Sequence, residues 1–258
     1  GYSIRVPKVT PSHLKSFKKG VIAIKVVNDK LAKKLQEATE GYQNIEVVTV
    51  PDAYPMGWER VLIRELFKKE YERFPGEIGI IVNNATTAIY LSEALRDKKP
   101  ITHRIVTISG EGVKSPENVY VPIGTSVDYI IEKIGGYTDN VNEMFVLGGG
   151  PMMGKSIAND TFVVTTYSNS ITVLPKVVEE ELPCLRCGLC IEHCPAKIQP
   201  VQIMNLEKQK NTEGVIEARA DKCITCGLCT FICPSKIEVT DWVGKAKTRV
   251  ANARKAGK

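Results

Sequence analysis

No stretch of this chain stays apolar for the roughly 20 residues that a membrane-crossing helix needs, which excludes a helical span within it. Its first residues do not read as a secretory signal, and the free-thiolate chemistry of its cysteines makes a reducing, cytoplasmic setting the expectation. Histidine is scarce. His13, His103 and His193 are scattered, and no Ser/His/Asp set or pair of carboxylates stands out, so the sequence displays no hydrolytic apparatus. Acid is lacking after Asp241, where Lys245, Lys247, Arg249, Arg254, Lys255 and Lys258 follow. A solvated helix face or a docking patch for an acidic partner is the favoured reading of that run over a nucleic-acid tail. Finally, no cysteine stands alone.

All eight cysteines fall into two copies of one spacing. The first copy runs Cys184, Cys187, Cys190, Cys194-Pro195, and the second Cys223, Cys226, Cys229, Cys233-Pro234. This is the C-x2-C-x2-C-x3-C-P run that holds paired [4Fe–4S] cubanes, with the fourth cysteine of each run ligating the other cluster. The expected ligand sets are therefore Cys184, Cys187, Cys190 and Cys233 for the first cluster, and Cys223, Cys226, Cys229 and Cys194 for the second. Gly188 and Gly227 let the backbone approach the inorganic core with positive φ. Zinc needs four ligands per site and leaves the third C-x2-C step unexplained, and disulfide pairing predicts no such repeat. The formal charge of +6 counts the thiols as neutral. Two oxidised cubanes at roughly −2 each would bring the loaded chain to about +2.

At 258 residues with 43% hydrophobic content, the chain is long enough for two or three small domains with real cores. Residues 1–20 read as a loose, basic lead-in. Residues 21–100 alternate between strand and helix periods: strands at 21–27, 45–50 and 78–82, helices at 29–38, 59–70 and 86–96. Asn28 or Asp29 is the expected cap of the first helix. Such alternation predicts an α/β domain with a small Rossmann-like parallel sheet. Strands at 104–109, 119–121 and 144–147 and a helix at 126–134, stopped by Gly135-Gly136, suggest a β-grasp module over 101–147. Connecting β segments at 162–166 and 171–174 fill 148–178. The remainder, 179–258, is expected to be a helix-rich two-cluster ferredoxin domain, with helices at 200–210, 213–220 and 241–256.

Gly149-Gly-Pro-Met-Met-Gly154-Lys155-Ser156 satisfies the P-loop pattern, but a P-loop needs a helix opening at its Lys-Ser, and here a strand is expected shortly after. A tight turn is the better reading. The segments Tyr54–Arg60 and Val82–Thr87 follow strands two and three, where open parallel sheets bind ligands. Asn and Thr with free helix N–H groups there suit a phosphate or a flavin ribityl chain, and suit ordinary helix capping equally. His193 either tunes a cluster through a bond to sulfur or simply covers the site.

In this order of parts the chain resembles the RnfC-like proteins, relatives of the flavin-bearing, NADH-oxidising subunit of respiratory complex I. The resemblance is carried by Tyr54-Pro-Met-Gly57-Trp-Glu59, Asn83-Asn-Ala-Thr-Thr87, Val121-Pro-Ile-Gly124-Thr125, Gly149–Gly154 and the twin cysteine runs. The Met-Gly-Trp-Glu variant looks most like the proline-reductase-associated members found in amino-acid-fermenting anaerobes. The resemblance implies an SLBB-like identity for the β-grasp module and a path from NADH through FMN to the cubanes. From there electrons would pass to a partner reductase or membrane complex. It places Gly57 and Glu59 near flavin and nicotinamide, and Asn83, Asn84, Thr86 and Thr87 on the FMN ribityl or phosphate. One departure stands out. The family's glycine-rich flavin loop and its N-x-x-E-x-E-P stretch normally precede this region, and Gly1–Lys19 holds neither. That implies a shortened chain, a reduced paralogue or half of a split subunit, with weak or no flavin binding. The alternative function is a non-catalytic wiring subunit fed by a separate flavoprotein.

Overall fold

The computed structural model describes residues 3–4, 18–157, 159–177 and 179–256. Most of the lead-in expected over residues 1–20 lies outside the described residues. The chain divides into two compact units, Gly1–Ile101 and Thr102–Lys258.

In the first unit, β1 (Ser3–Ile4), β2 (Gly20–Lys25), β3 (Ile45–Val50) and β4 (Asn83–Asn84) form a sheet of order β3-β2-β1-β4. Helix α1 (Asp29–Thr39) links β2 to β3, and that pair is parallel, as a crossover helix requires. Strand β1 is antiparallel to both its neighbours, so β4 points the same way as β2 without touching it. The sheet is thus mixed rather than wholly parallel, and Ser3–Ile4 is strand where a loose lead-in was expected. Asn28 stands at the cap position of α1 but its side chain makes no capping bond.

The strand expected at 78–82 does not form. A 3-10 turn covers Pro75–Ile78, Gly79 turns left-handed at φ 69°, and only Asn83–Asn84 pairs. Ile80 is nonetheless buried in a small core with Ile63 and Tyr71. The apolar run signalled burial, which a loop satisfies as well as a strand does. Helix α2 (Glu59–Phe67) ends three residues earlier than its pattern suggested, at a left-handed Lys68 whose N–H reaches Arg64 O. Helix α3 (Ala85–Asp97) follows β4 directly.

The second unit opens with β5 (His103–Ser109), β6 (Glu117–Pro122), α4 (Val127–Lys133), β7 (Met144–Gly148), β8 (Lys155–Ile157) and β9 (Ser170–Pro175). The sheet order is β6-β5-β9-β7-β8. Helix α4 packs Val127, Ile130 and Ile131 over Val106, Ile108, Val146, Ile171 and Val173 in one core. The last expected connecting segment is therefore the central strand β9, parallel to β5 and antiparallel to β7. Residues 162–166 form no strand. Val163 makes a single bridge to Ser126 while Val164 enters the core. Gly135 and Gly136 end α4 with positive φ, as their pairing predicted.

The cysteine region is built from α5 (Leu189–Glu192), α6 (Pro200–Lys208), α7 (Thr212–Glu217), α8 (Leu228–Phe231) and α9 (Val239–Ala256). Asn211 caps α7 by accepting from Gly214 N at 2.8 Å. Helices α6 and α9 close over Ile203, Met204, Val243, Ala246 and Val250. A two-pronged bond from Arg249 to the buried Glu207, 2.7 Å in each arm, ties them together. Arg254 binds Asp221, and Lys247 donates to Cys223 O at 2.6 Å. Three of the terminal cations thus serve internal contacts.

Candidate iron–sulfur site

The two cysteine loops have the same backbone shape. Arg186 and Thr225 share left-handed φ values of 55° and 51°, Gly188 and Gly227 both sit at 82°, and Lys197 and Lys236 at 53° and 55°. Each glycine then starts a four-residue helix, α5 or α8. The left-handed residue turns its N–H back toward the first sulfur: Arg186 N lies 3.4 Å from Cys184 Sγ and Thr225 N 3.3 Å from Cys223 Sγ. Such donors favour the thiolate form that iron requires.

Cys184, Cys187, Cys190 and Cys233 line one cavity of about 430 Å³, with Leu185, Ile191 and Met204 among its walls. Cys194, the fourth residue of the first run, instead acts electrostatically on Cys223, Cys226 and Cys229. Each fourth cysteine therefore faces the other run. A chamber of that size with four sulfurs on its wall fits an inorganic cube. Among the described residues no three Cys, His, Asp or Glu side chains converge as a single metal ion demands.

Burial pushes the thiols of Cys190, Cys223 and Cys226 up, and that of Cys229 up to about 11. Without iron these groups hold their protons, so loading must release them. At Cys229 the shift is opposed by Thr240, whose hydroxyl lies 3.2 Å from Sγ. Thr230 donates to Thr240 Oγ1 at 3.0 Å, which leaves the Thr240 proton for sulfur. Sequence reasoning passed over Thr240. Matching the runs residue by residue would have flagged it, because its counterpart after the first run is Val201. His193 does not reach sulfur: its Nδ1 pairs with Leu189 O at 3.1 Å. His103 pairs with Thr102 and stacks on Tyr120, and His13 lies outside the described residues.

Gly57 lies in the turn closed by Trp58 N to Pro55 O, just before α2. Glu59 opens α2 and accepts from Tyr71 Oη at 2.6 Å. Burial and the Glu59 carboxylate raise the Tyr71 phenol far above its ordinary range. Arg60 grips the Tyr71 and Glu72 carbonyls and lies over the Tyr71 ring. Asn84 caps α3, accepting from Thr86 N at 2.8 Å, while Asn83 belongs to β4 and Thr87 is exposed. Met56 of the first segment belongs to a core cluster against which Val82 of the second packs. Asn84 and Glu59 are thus already engaged in local structure. The glycine turn 149–154 leads into strand β8 and not into a helix, which rules out a P-loop.

Three domain families match along the chain, in order: the Nuo51 FMN-binding domain over residues 11–93, the SLBB domain over 105–156, and the 4Fe-4S dicluster domain over 183–237. The cofactors of the last segment are accordingly two [4Fe–4S] clusters. The C component of the ion-translocating oxidoreductase complex of Rhodobacter capsulatus is 35% identical over 168 residues, which is 63% of this chain and 32% of that protein. Its namesake in Yersinia enterocolitica is 32% identical over 175 residues, 66% of this chain and 25% of that protein. The chain thus spans about a quarter to a third of the length of these curated relatives, and over the matched part it is similar to them.

Proposed function

We propose that this chain conducts single electrons through two [4Fe–4S] clusters, as the wiring part of an RnfC-like assembly. The carrying observation is the chamber lined by three cysteines of one run and the fourth of the other. Cys184, Cys187, Cys190 and Cys233 would hold one cluster, and Cys223, Cys226, Cys229 and Cys194 its neighbour. When bound, the clusters supply one-electron redox chemistry. The residues supply thiolates, N–H donors to sulfur and a largely apolar enclosure. The relatives are named as components of an ion-translocating oxidoreductase complex. We extend that setting to this chain: a peripheral place at a membrane complex on its cytoplasmic side. Among the described residues no helix is long and apolar enough to cross a bilayer. The finer alternative is a proline-reductase-type acceptor, supported by the Met56-Gly57-Trp58-Glu59 variant alone.

Upstream, one reading makes NADH and FMN the donors, with Gly57 and Glu59 beside the flavin and nicotinamide and Asn83, Asn84, Thr86 and Thr87 on the ribityl phosphate. A second reading, a wiring subunit fed by a separate flavoprotein, is favoured by two contacts. Asn84 is engaged in capping and Glu59 in holding Tyr71. The visible spectrum of anaerobically purified protein separates them. Cubane absorbance without flavin bands, bleached by dithionite and indifferent to NADH, is the expected result. One FMN released per chain would overturn it.

Thr240→Val should lower the midpoint potential of the second cluster and spare the first. A hydrogen bond to sulfur stabilises the more negative, reduced state. Removing one at about 1 kcal/mol corresponds to a shift on the order of 40 mV for one electron. Reductive titration followed by EPR reads this directly, and an unmoved second potential would exclude the role given to Thr240.

A further inference from the structure

The twin loops are equal in backbone shape but unequal in surroundings. Gly188 and Gly227 share φ 82°, yet a Cβ on Gly188 would meet nothing within 4 Å, whereas one on Gly227 would lie 2.4 Å from Met152 O. The main chain of the 149–154 turn therefore rests directly on the second loop. That turn is itself stiff: a Cβ on Gly154 would fall 2.5 Å from Gly150 O, and Gly154 N bonds that oxygen at 2.7 Å. Exposure follows the same division. Leu185 in the first loop is 69% exposed and its counterpart Ile224 only 6%. Cys184 and Cys187 are exposed, and Cys226 is buried. A groove of about 1270 Å³ does run beside the second loop, past Phe231 and α9, but its lining among the described residues includes no cysteine.

We infer that the Gly149–Gly154 turn is a cover for the second cluster site, leaving the first site as the exchange point with an external one-electron carrier. Electron exchange needs close approach, and only the first loop has exposed cysteines, Cys184 and Cys187, beside the exposed apolar residues Leu182, Leu185 and Ile191. The second site becomes the interior relay. This rests on the two-cluster reading above and adds a direction to it. It also gives a place to the glycine turn, which matches a phosphate loop in letters only: Gly149 and Gly154 pack main chain on main chain within the turn, and Met152 O meets Gly227.

EPR power saturation of the reduced, fully loaded chain with a soluble dysprosium chelate tests the inference. The two signals are assigned with Cys226→Ala, which deprives the second site of a ligand from its own run. The first signal should show a several-fold rise in half-saturation power and the second little change. Gly188→Ala and Gly227→Ala impose the same backbone strain, and only the latter collides with Met152. Gly227→Ala should lift the second signal's response to that of the first, and Gly188→Ala should leave the pattern as it was. Equal responses in the parent chain, or a Gly227→Ala chain with both clusters loaded and the second still shielded, would overturn the inference. If Gly227→Ala fails to fold, the parent comparison decides alone. A preparation without iron would instead defeat the two-cluster reading itself.

Discussion

Cys194→Ala is expected to empty the second cluster site while leaving the first loaded, although Cys194 belongs to the first run. Iron should fall from about eight to about four per chain. The surviving EPR signal should be the one that Cys184→Ala abolishes. The reason lies in the backbone. Three thiols at a C-x2-C-x2-C spacing wrap one side of a cube, and the short helix α5 then carries the fourth away from it. Cys194 ends up among Cys223, Cys226 and Cys229, while Cys233 completes the wall of the chamber around Cys184, Cys187 and Cys190. Cys233→Ala is the mirror experiment. Loss of the first cluster in Cys194→Ala, with the second intact, would refute the crossed arrangement.

Gly110→Ala should be the most damaging small substitution in the five-stranded module. Gly110 follows β5 with φ +107°, and a Cβ there would lie 2.0 Å from Val173 O, 2.8 Å from its carbonyl carbon and 2.9 Å from its nitrogen. Val173 cannot retreat. It is fully buried at the middle of β9, in register with Val146, and its carbonyl already accepts from Gly112 N at 3.0 Å. Left-handed strain of about 1 kcal/mol and overpacking of about 1–3 kcal/mol add to roughly 2–4 kcal/mol. For a unit of this size that is a fall of roughly 5–15 °C in Tm. Gly124→Ala is the control: φ is +93° with nothing within 4 Å, so only the strain remains, and a loss of about 2–4 °C is expected. Thermal unfolding by circular dichroism compares the two, and equal losses would remove the clash as the cause.

Legibility varied along the chain for physical reasons. Helices with a clear start or stop signal, such as α3 behind the Asn84 cap or α4 before Gly135-Gly136, were readable within a residue or two. Segments whose only signal was apolar character were not. Within 78–82 and 162–166 only Ile80 and Val164 are buried, and neither stretch forms a strand, because burial needs only a neighbour while a strand needs a free partner edge. The central place of β9 was invisible, since its neighbours β5 and β7 come from distant parts of the chain. The basic terminus looked like a free surface until Arg249, Arg254 and Lys247 each found an internal partner.

The amino-acid sequence by itself determined the chemistry. Eight thiols at repeating intervals, glycines where φ must be positive and prolines where each turn departs are local requirements, written in consecutive residues. Tertiary structure alone decided the inequality of the two sites. Thr240 against Cys229, and the Met152 carbonyl against Gly227, are contacts between elements whose approach is set by packing. Such contacts arise from the closing of a core, which no local spacing records.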